Sequence, residues 1–120
     1  MASEGMVIMQ YKPYVSQNVG ELLDQLGFMV LAAPTFKDKT GYFPEQNIDT
    51  VFFALNESLL VVRKTVGEER YAEFRAMSDK MRALFESDPG DKTGDTQAGR
   101  MLIYEMEDIL TDIAKRAAPN

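Results

Sequence analysis

There is no cysteine and no histidine anywhere in this chain. Without thiols there is no disulfide scaffold and no thiolate metal site. Without imidazole the commonest general base and the commonest transition-metal ligand are both missing, and so is every Ser-His or Cys-His nucleophile pair. Any catalysis is left to carboxylates, lysine, tyrosine or hydroxyls. Positive charge is scarce too: 13 Lys and Arg stand against 19 Asp and Glu, for a net charge of −6 and a pI near 4.6. Phosphate binding needs clustered Lys and Arg, so nucleic acid is not the expected ligand. No apolar stretch approaches the ~20 residues that span a bilayer, so no membrane is expected either. The N-terminus has Glu4 and no basic region, and its apolar run at 6–9 is too brief for a signal core. The expected location is the cytoplasm.

What is present suits one domain over residues 1–120, with 45% hydrophobic residues to build a core. Residues 1–17 read as an N-terminal arm, because Pro13 bars a helix running through. Asn18 followed by Glu21 has the capping-box spacing. Val19, Leu22, Leu23, Leu26, Met29, Val30 and Ala33 then recur on one helical face, which predicts a helix over 18–33. Pro34 ends it, and a short strand at 28–32 is the alternative. Pro44 and Glu45 suit the first turn of a second helix over 44–66. Its inward stripe is Ile48, Val51, Phe52, Leu55, Leu59, Val62 and Val66. Phe53 and Leu60 fall roughly 130° from the centre of that stripe. Either this helix is buried on two sides, or the pair forms a contact patch for a homodimer. Gly67 breaks the pattern, and a third helix over 68–86 carries Tyr71, Phe74, Met77, Met81, Leu84 and Phe85 inward. That Met and aromatic content reads as core. A fourth helix covers 96–117. The fold class expected is an all-α bundle of about four helices.

The charge is unevenly placed. Between Glu86 and Asp112 there are eight acids and only two bases, Lys92 and Arg100, whereas eleven acids and eleven bases balance elsewhere. The loop at 88–99 imitates two motifs and satisfies neither. Gly90-Asp91-Lys92-Thr93-Gly94 lacks the Gly-Lys-Ser/Thr order and the preceding strand of a phosphate loop. Asp91, Thr93 and Asp95 match the start of a calcium loop, but Thr96 stands where Gly is needed and Leu102 where Glu is needed. Asp-Lys-Thr-Gly occurs at 38–41 and again at 91–94, a short turn-prone repeat.

In the last helix Leu102, Ile103, Met106, Ile109, Leu110, Ile113 and Ala117 share one face. Gln97, Met101, Tyr104, Glu105, Asp108 and Asp112 form a strip on the other side. One reading is a solvated face, with Lys115 and Arg116 partly neutralising Asp112. The other is an interface, in which the aromatic and methionine supply contact area and the acids steer a basic partner.

Two resemblances bear on function. Glu105-x-x-Asp108 is similar to the second half of the paired carboxylate motif of all-α nucleotide pyrophosphohydrolases, which implies magnesium-dependent hydrolysis. The first half fails, since Glu69 pairs at that spacing with Ala72. Glu57, Glu73 or Asp49 would have to supply further ligands. Second, residues 91–100 run into Tyr104-Glu105-Met106-Glu107-Asp108-Ile109-Leu110, in a small acidic chain without catalytic residues. As a whole this resembles a small cytoplasmic immunity protein of a bacterial toxin system. The resemblance implies no cofactor and no catalytic residue. It implies tight one-to-one binding to a basic toxin domain whose active site is occluded. It assigns no site residues, so the strip remains a reading of the helix face itself.

Overall fold

A computed structural model of the chain describes residues 12–117, and these are all-α. The elements are α1 (Val19–Ala32), α2 (Ile48–Val61), α3 (Arg63–Val66), α4 (Glu68–Glu86) and α5 (Asp95–Ala117). Of the arm expected at 1–17, residues 1–11 lie outside the described part.

Local chemistry sets the helix starts. Asn18 is extended and its side-chain oxygen accepts from the Glu21 N–H at 2.8 Å. Residues 28–32 continue that helix, so the alternative strand does not form: Met29 is a core residue one turn after Leu26 and two after Leu22. The start of α2 differs from expectation. Pro44 sits in a turn closed by Gln46 N–H donating to the Phe43 carbonyl at 3.0 Å, and the helix begins at Ile48. Asn47 and Thr50 form a reciprocal capping box, with both side-chain oxygens accepting backbone N–H groups at 3.0–3.1 Å. A reciprocal cap satisfies two free donors, whereas proline merely tolerates the first turn. The expected single helix to 66 is interrupted at Val62, resumes for one turn as α3, and stops at Gly67 with φ +90°, a conformation that glycine adopts at little cost.

Helix α5 packs on α4 and α1, and α2 packs on the same two from the other side. The core between them comprises Leu22, Leu26 and Met29, then Phe52, Leu55 and Leu59, then Phe74, Met81 and Phe85, and finally Ile103, Met106 and Leu110. The Met and aromatic stripe of α4 is therefore core. Phe53 and Leu60 are not: they are 55% and 43% exposed, so α2 is not buried on two sides.

The loop between α1 and α2 contributes the residue that the pattern did not mark. Phe36 is completely buried, edge-on to Phe52 at 5.7 Å and to Phe85 at 5.3 Å. Its φ is +61°, a region that costs a bulky residue about 1–3 kcal/mol. Burying the ring is worth about 1.5–3 kcal/mol and the aromatic pairs add to that, so the packing holds the backbone there.

The described part of the arm is tied down by a buried polar cluster. Ser16 N–H donates to Ser58 Oγ at 2.9 Å, Ser16 Oγ donates to Gln25 Oε1 at 2.7 Å, and Ser58 Oγ donates to the Ala54 carbonyl at 2.7 Å. This joins the arm to α1 and α2.

The tightest helix contact is between α4 and α5. A Cβ added at Gly99 would stand 2.5 Å from Cε1 of the buried Phe85 ring. Gly99→Ala is therefore expected to overpack the core by about 1–3 kcal/mol, against a gain of about 1 kcal/mol in helix propensity. Urea unfolding should show a net loss; an unchanged or raised midpoint would mean that the ring moves aside freely.

Candidate acidic interface on α5

The acid-rich segment begins with a loop that is organised by one carboxylate. Asp88 is 2% exposed. Its Oδ1 accepts from the N–H groups of Lys92 and Thr93 at 2.7 and 3.2 Å, and its Oδ2 accepts from Thr96 N–H at 3.1 Å. Thr96 Oγ1 donates back to the Asp88 carbonyl at 3.0 Å. One carboxylate thus closes the loop and takes up a free N–H at the start of α5. Those backbone donors, Lys92 N–H foremost, hold the Asp88 carboxyl down at about 2.

The next acids are also occupied. Asp95 accepts from Ser87 Oγ at 2.8 Å, and Glu86 pairs with Arg82 at 3.3 Å. Asp91 lies 3.5 Å from Arg100. Arg100 itself turns inward to the end of α1, donating to the carbonyls of Val30 and Ala33 at 3.1 and 3.3 Å. These are the carbonyls a helix leaves free, and a cation there also meets the negative end of the dipole. Gln97 Oε1 accepts from the same guanidinium at 3.3 Å. Gln97 is therefore exposed but engaged.

Beyond this first turn the character of α5 changes. Gln97, Met101, Tyr104, Glu105, Asp108 and Asp112 are all exposed, with Met101 at 57% and Tyr104 at 41%. Asp112 pairs with Arg116 at 3.1 Å. Among the described residues, no cation stands within ion-pair distance of Glu105 or Asp108. Glu107 is half-buried on the flank, and burial followed by the nearby Asp108 charge pushes its carboxyl above the usual range. So of the eight acids, five have partners within the fold, and among the described residues Glu105, Glu107 and Asp108 have none. The clean charge lies in the middle of α5, beside the exposed methionine and tyrosine.

The carboxylates invoked for a metal site are dispersed. Among the described residues, no three Asp or Glu side chains gather in a way that would hold a metal ion. Asp49 pairs with Arg82, and Glu73 pairs with Arg70 at 2.6 Å. Among the described residues, no helix is long and apolar enough to cross a membrane.

Two clefts beside α1 had no counterpart in the motif reading. One, of about 640 Å³, opens between the arm, α1 and α2 and is lined by Tyr14, Asp24, Phe28, Gln46 and Val51 among others. The second, of about 560 Å³, lies at the C-terminal end of α1, against Phe28, Leu31, Pro34, Lys37, Lys39 and Pro89. The signal available in the sequence was that Phe28 and Leu31 fall off the inward stripe of α1. Comparison of the chain with protein families, curated proteins and solved structures finds no match.

The Asp88 loop carries a pH signature. The carboxyl sits below its unfolded value of about 3.9, so its contribution is complete above that pH and is lost as pH falls toward about 2. Asp88→Asn should lower the Tm at pH 7, and the gap from the parent should close between roughly pH 4 and pH 2. Equal Tm values at pH 7 would show that the carboxylate does not hold the loop.

Proposed function

We propose that this chain is a non-catalytic protein-binding module that docks a basic protein through the exposed strip of α5. The observation that carries the reading is the pair Glu105 and Asp108, exposed and without a counter-ion among the described residues, set beside exposed Met101 and Tyr104. Exposed carboxylates within a screening length of a basic surface accelerate encounter, and a tyrosine with a neighbouring methionine supplies the area that holds the complex. Arg100 strengthens the case, because its charge is spent on the carbonyls of α1.

The most concrete form of the reading is a cytoplasmic immunity protein that neutralises a cognate toxin domain. It draws on the resemblance of residues 91–110 and on the charge. In a nuclease toxin, a basic substrate cleft would accept Glu105 and Asp108 in place of phosphate oxygens. Binding would then occlude the active site without any chemistry by this chain. The nucleotide pyrophosphohydrolase reading remains the enzymatic alternative, and it requires acids from a second helix to converge on Glu105 and Asp108.

The test is charge reversal. Glu105→Lys with Asp108→Lys should leave the Tm nearly unchanged. It should weaken binding to a basic toxin domain encoded beside this chain by at least about tenfold, mainly through slower association and most strongly at low salt. Unchanged affinity would place the interface elsewhere. Millimolar magnesium should leave the Tm where it is; a clear rise would favour the hydrolase reading.

A further inference from the structure

Methionine carries all the sulfur in this chain. There is no cysteine to compete for a two-electron oxidant, and no histidine or tryptophan either. Eight methionines are present, of which Met1, Met6 and Met9 lie outside the described residues. The other five divide sharply. Met29, Met81 and Met106 are completely buried and Met77 is 8% exposed, whereas Met101 is 57% exposed. A core thioether is shielded from oxidants in solution for as long as the bundle stays folded. Met101 meets them directly.

Its position gives that difference a consequence. Met101 lies one turn after Gln97 and one turn before Tyr104 and Glu105, on the exposed side of α5. Within that strip Met101 and Tyr104 supply the apolar contact area, and the rest is polar or acidic. A flexible thioether suits such a place because it adapts to an uneven partner surface. A sulfoxide does not: it is polar, carries a strong acceptor oxygen and needs a donor once water is excluded. The ionised Glu105 carboxylate, one turn on, offers only further acceptors. Met101 takes no part in the hydrophobic core, so the fold does not depend on its thioether.

We propose that Met101 is an oxidation site, and that its sulfoxide weakens docking through the α5 strip without disturbing the fold. The second half rests on the reading of that strip as an interface. The oxidant is a hydroperoxide. A lone pair on the Met101 sulfur attacks the terminal oxygen, the O–O bond breaks and an S–O bond forms. Sulfur gives up two electrons and the peroxide takes them. With hydrogen peroxide, the proton of the transferred hydroxyl passes to the departing hydroxide, which leaves as water. The chain has no thiol to reverse the step, so return to the thioether requires an external thiol-dependent sulfoxide reductase.

The full chain is treated briefly with hydrogen peroxide and its peptides are mapped by mass spectrometry. Met101 should oxidise at least about tenfold faster than Met29, Met77, Met81 or Met106, with the Tm and circular dichroism unchanged. Affinity for the basic toxin domain of the charge-reversal experiment should then fall at least about fivefold. It should recover as a sulfoxide reductase returns Met101 to the thioether. Met101→Leu lacks this sulfur and keeps the other seven, so peroxide should leave its affinity at whatever level it starts. Equal rates at Met101 and the core methionines overturn the proposal, as does a Tm that falls while Met101 is oxidised. So does an oxidised chain that binds as tightly as the untreated one, a result that leaves the interface reading standing. So does an equal loss in Met101→Leu, which traces the effect to another methionine. An untreated chain that does not bind the toxin domain overturns the interface reading and the switch with it, while the peptide map still shows whether Met101 is the reactive sulfur.

Discussion

The ring of Phe85 lies against the bare backbone of Gly99, and the architecture follows from that contact. It sets how closely α4 and α5 approach. Because Phe85 also meets Phe36 and Phe52, it ties α5 to the α1–α2 loop and to α2 through one aromatic cluster. Two further constraints fix the same helix from its N-terminal end. Asp88 holds the preceding loop, and Arg100 reaches across to the carbonyls that end α1. A helix held at three points within its first turns has no freedom to roll. The direction in which Met101, Tyr104, Glu105 and Asp108 point is thus decided by contacts none of them makes.

The helices were legible because their apolar residues repeat at helical spacing and their ends carry ordinary signals. Asn18 caps the Glu21 N–H and Gly67 stops the chain's second helical run as local chemistry predicts, although the Glu21 carboxylate accepts from Gln17 N–H and the Tyr14 hydroxyl instead of completing the box. Where the reading fell short, a contact distant in sequence or a competing local cap decided the outcome. Asn47 and Thr50 outcompete Pro44 for the start of α2. Phe36 stands alone in a loop, with no periodic neighbour to mark it as core, and only the rings of Phe52 and Phe85 give it a place. The exposed strip on α5 was visible as a face, because helical geometry alone separates it from the apolar side. That Glu86, Asp88, Asp91 and Asp95 would all be engaged internally was not visible, since it depends on where Arg82, Arg100, Ser87 and the loop N–H groups arrive.

Those acids show how far one side-chain type can be diverted by its surroundings. The Asp88 carboxylate, ringed by backbone donors, is held ionised far below neutral pH. Glu107, half-buried and beside another acid, is pushed the other way. Glu105 and Asp108 face water. A count of charges along the chain treats all four alike, whereas the last two stand exposed and, among the described residues, without a counter-ion.

The inward turn of Arg100 has a consequence for how such a protein changes over generations. The fold draws on the inner side of α5, on its loop and on one arginine. The outer positions 101, 104, 105, 108 and 112 carry almost none of that burden, with Asp112–Arg116 their single ion pair among the described residues. They can be rewritten together, in charge and in size, with little loss of stability to be repaired. A scaffold divided in this way is free to follow a drifting counterpart, altering its outer lettering while its inner grammar stays the same.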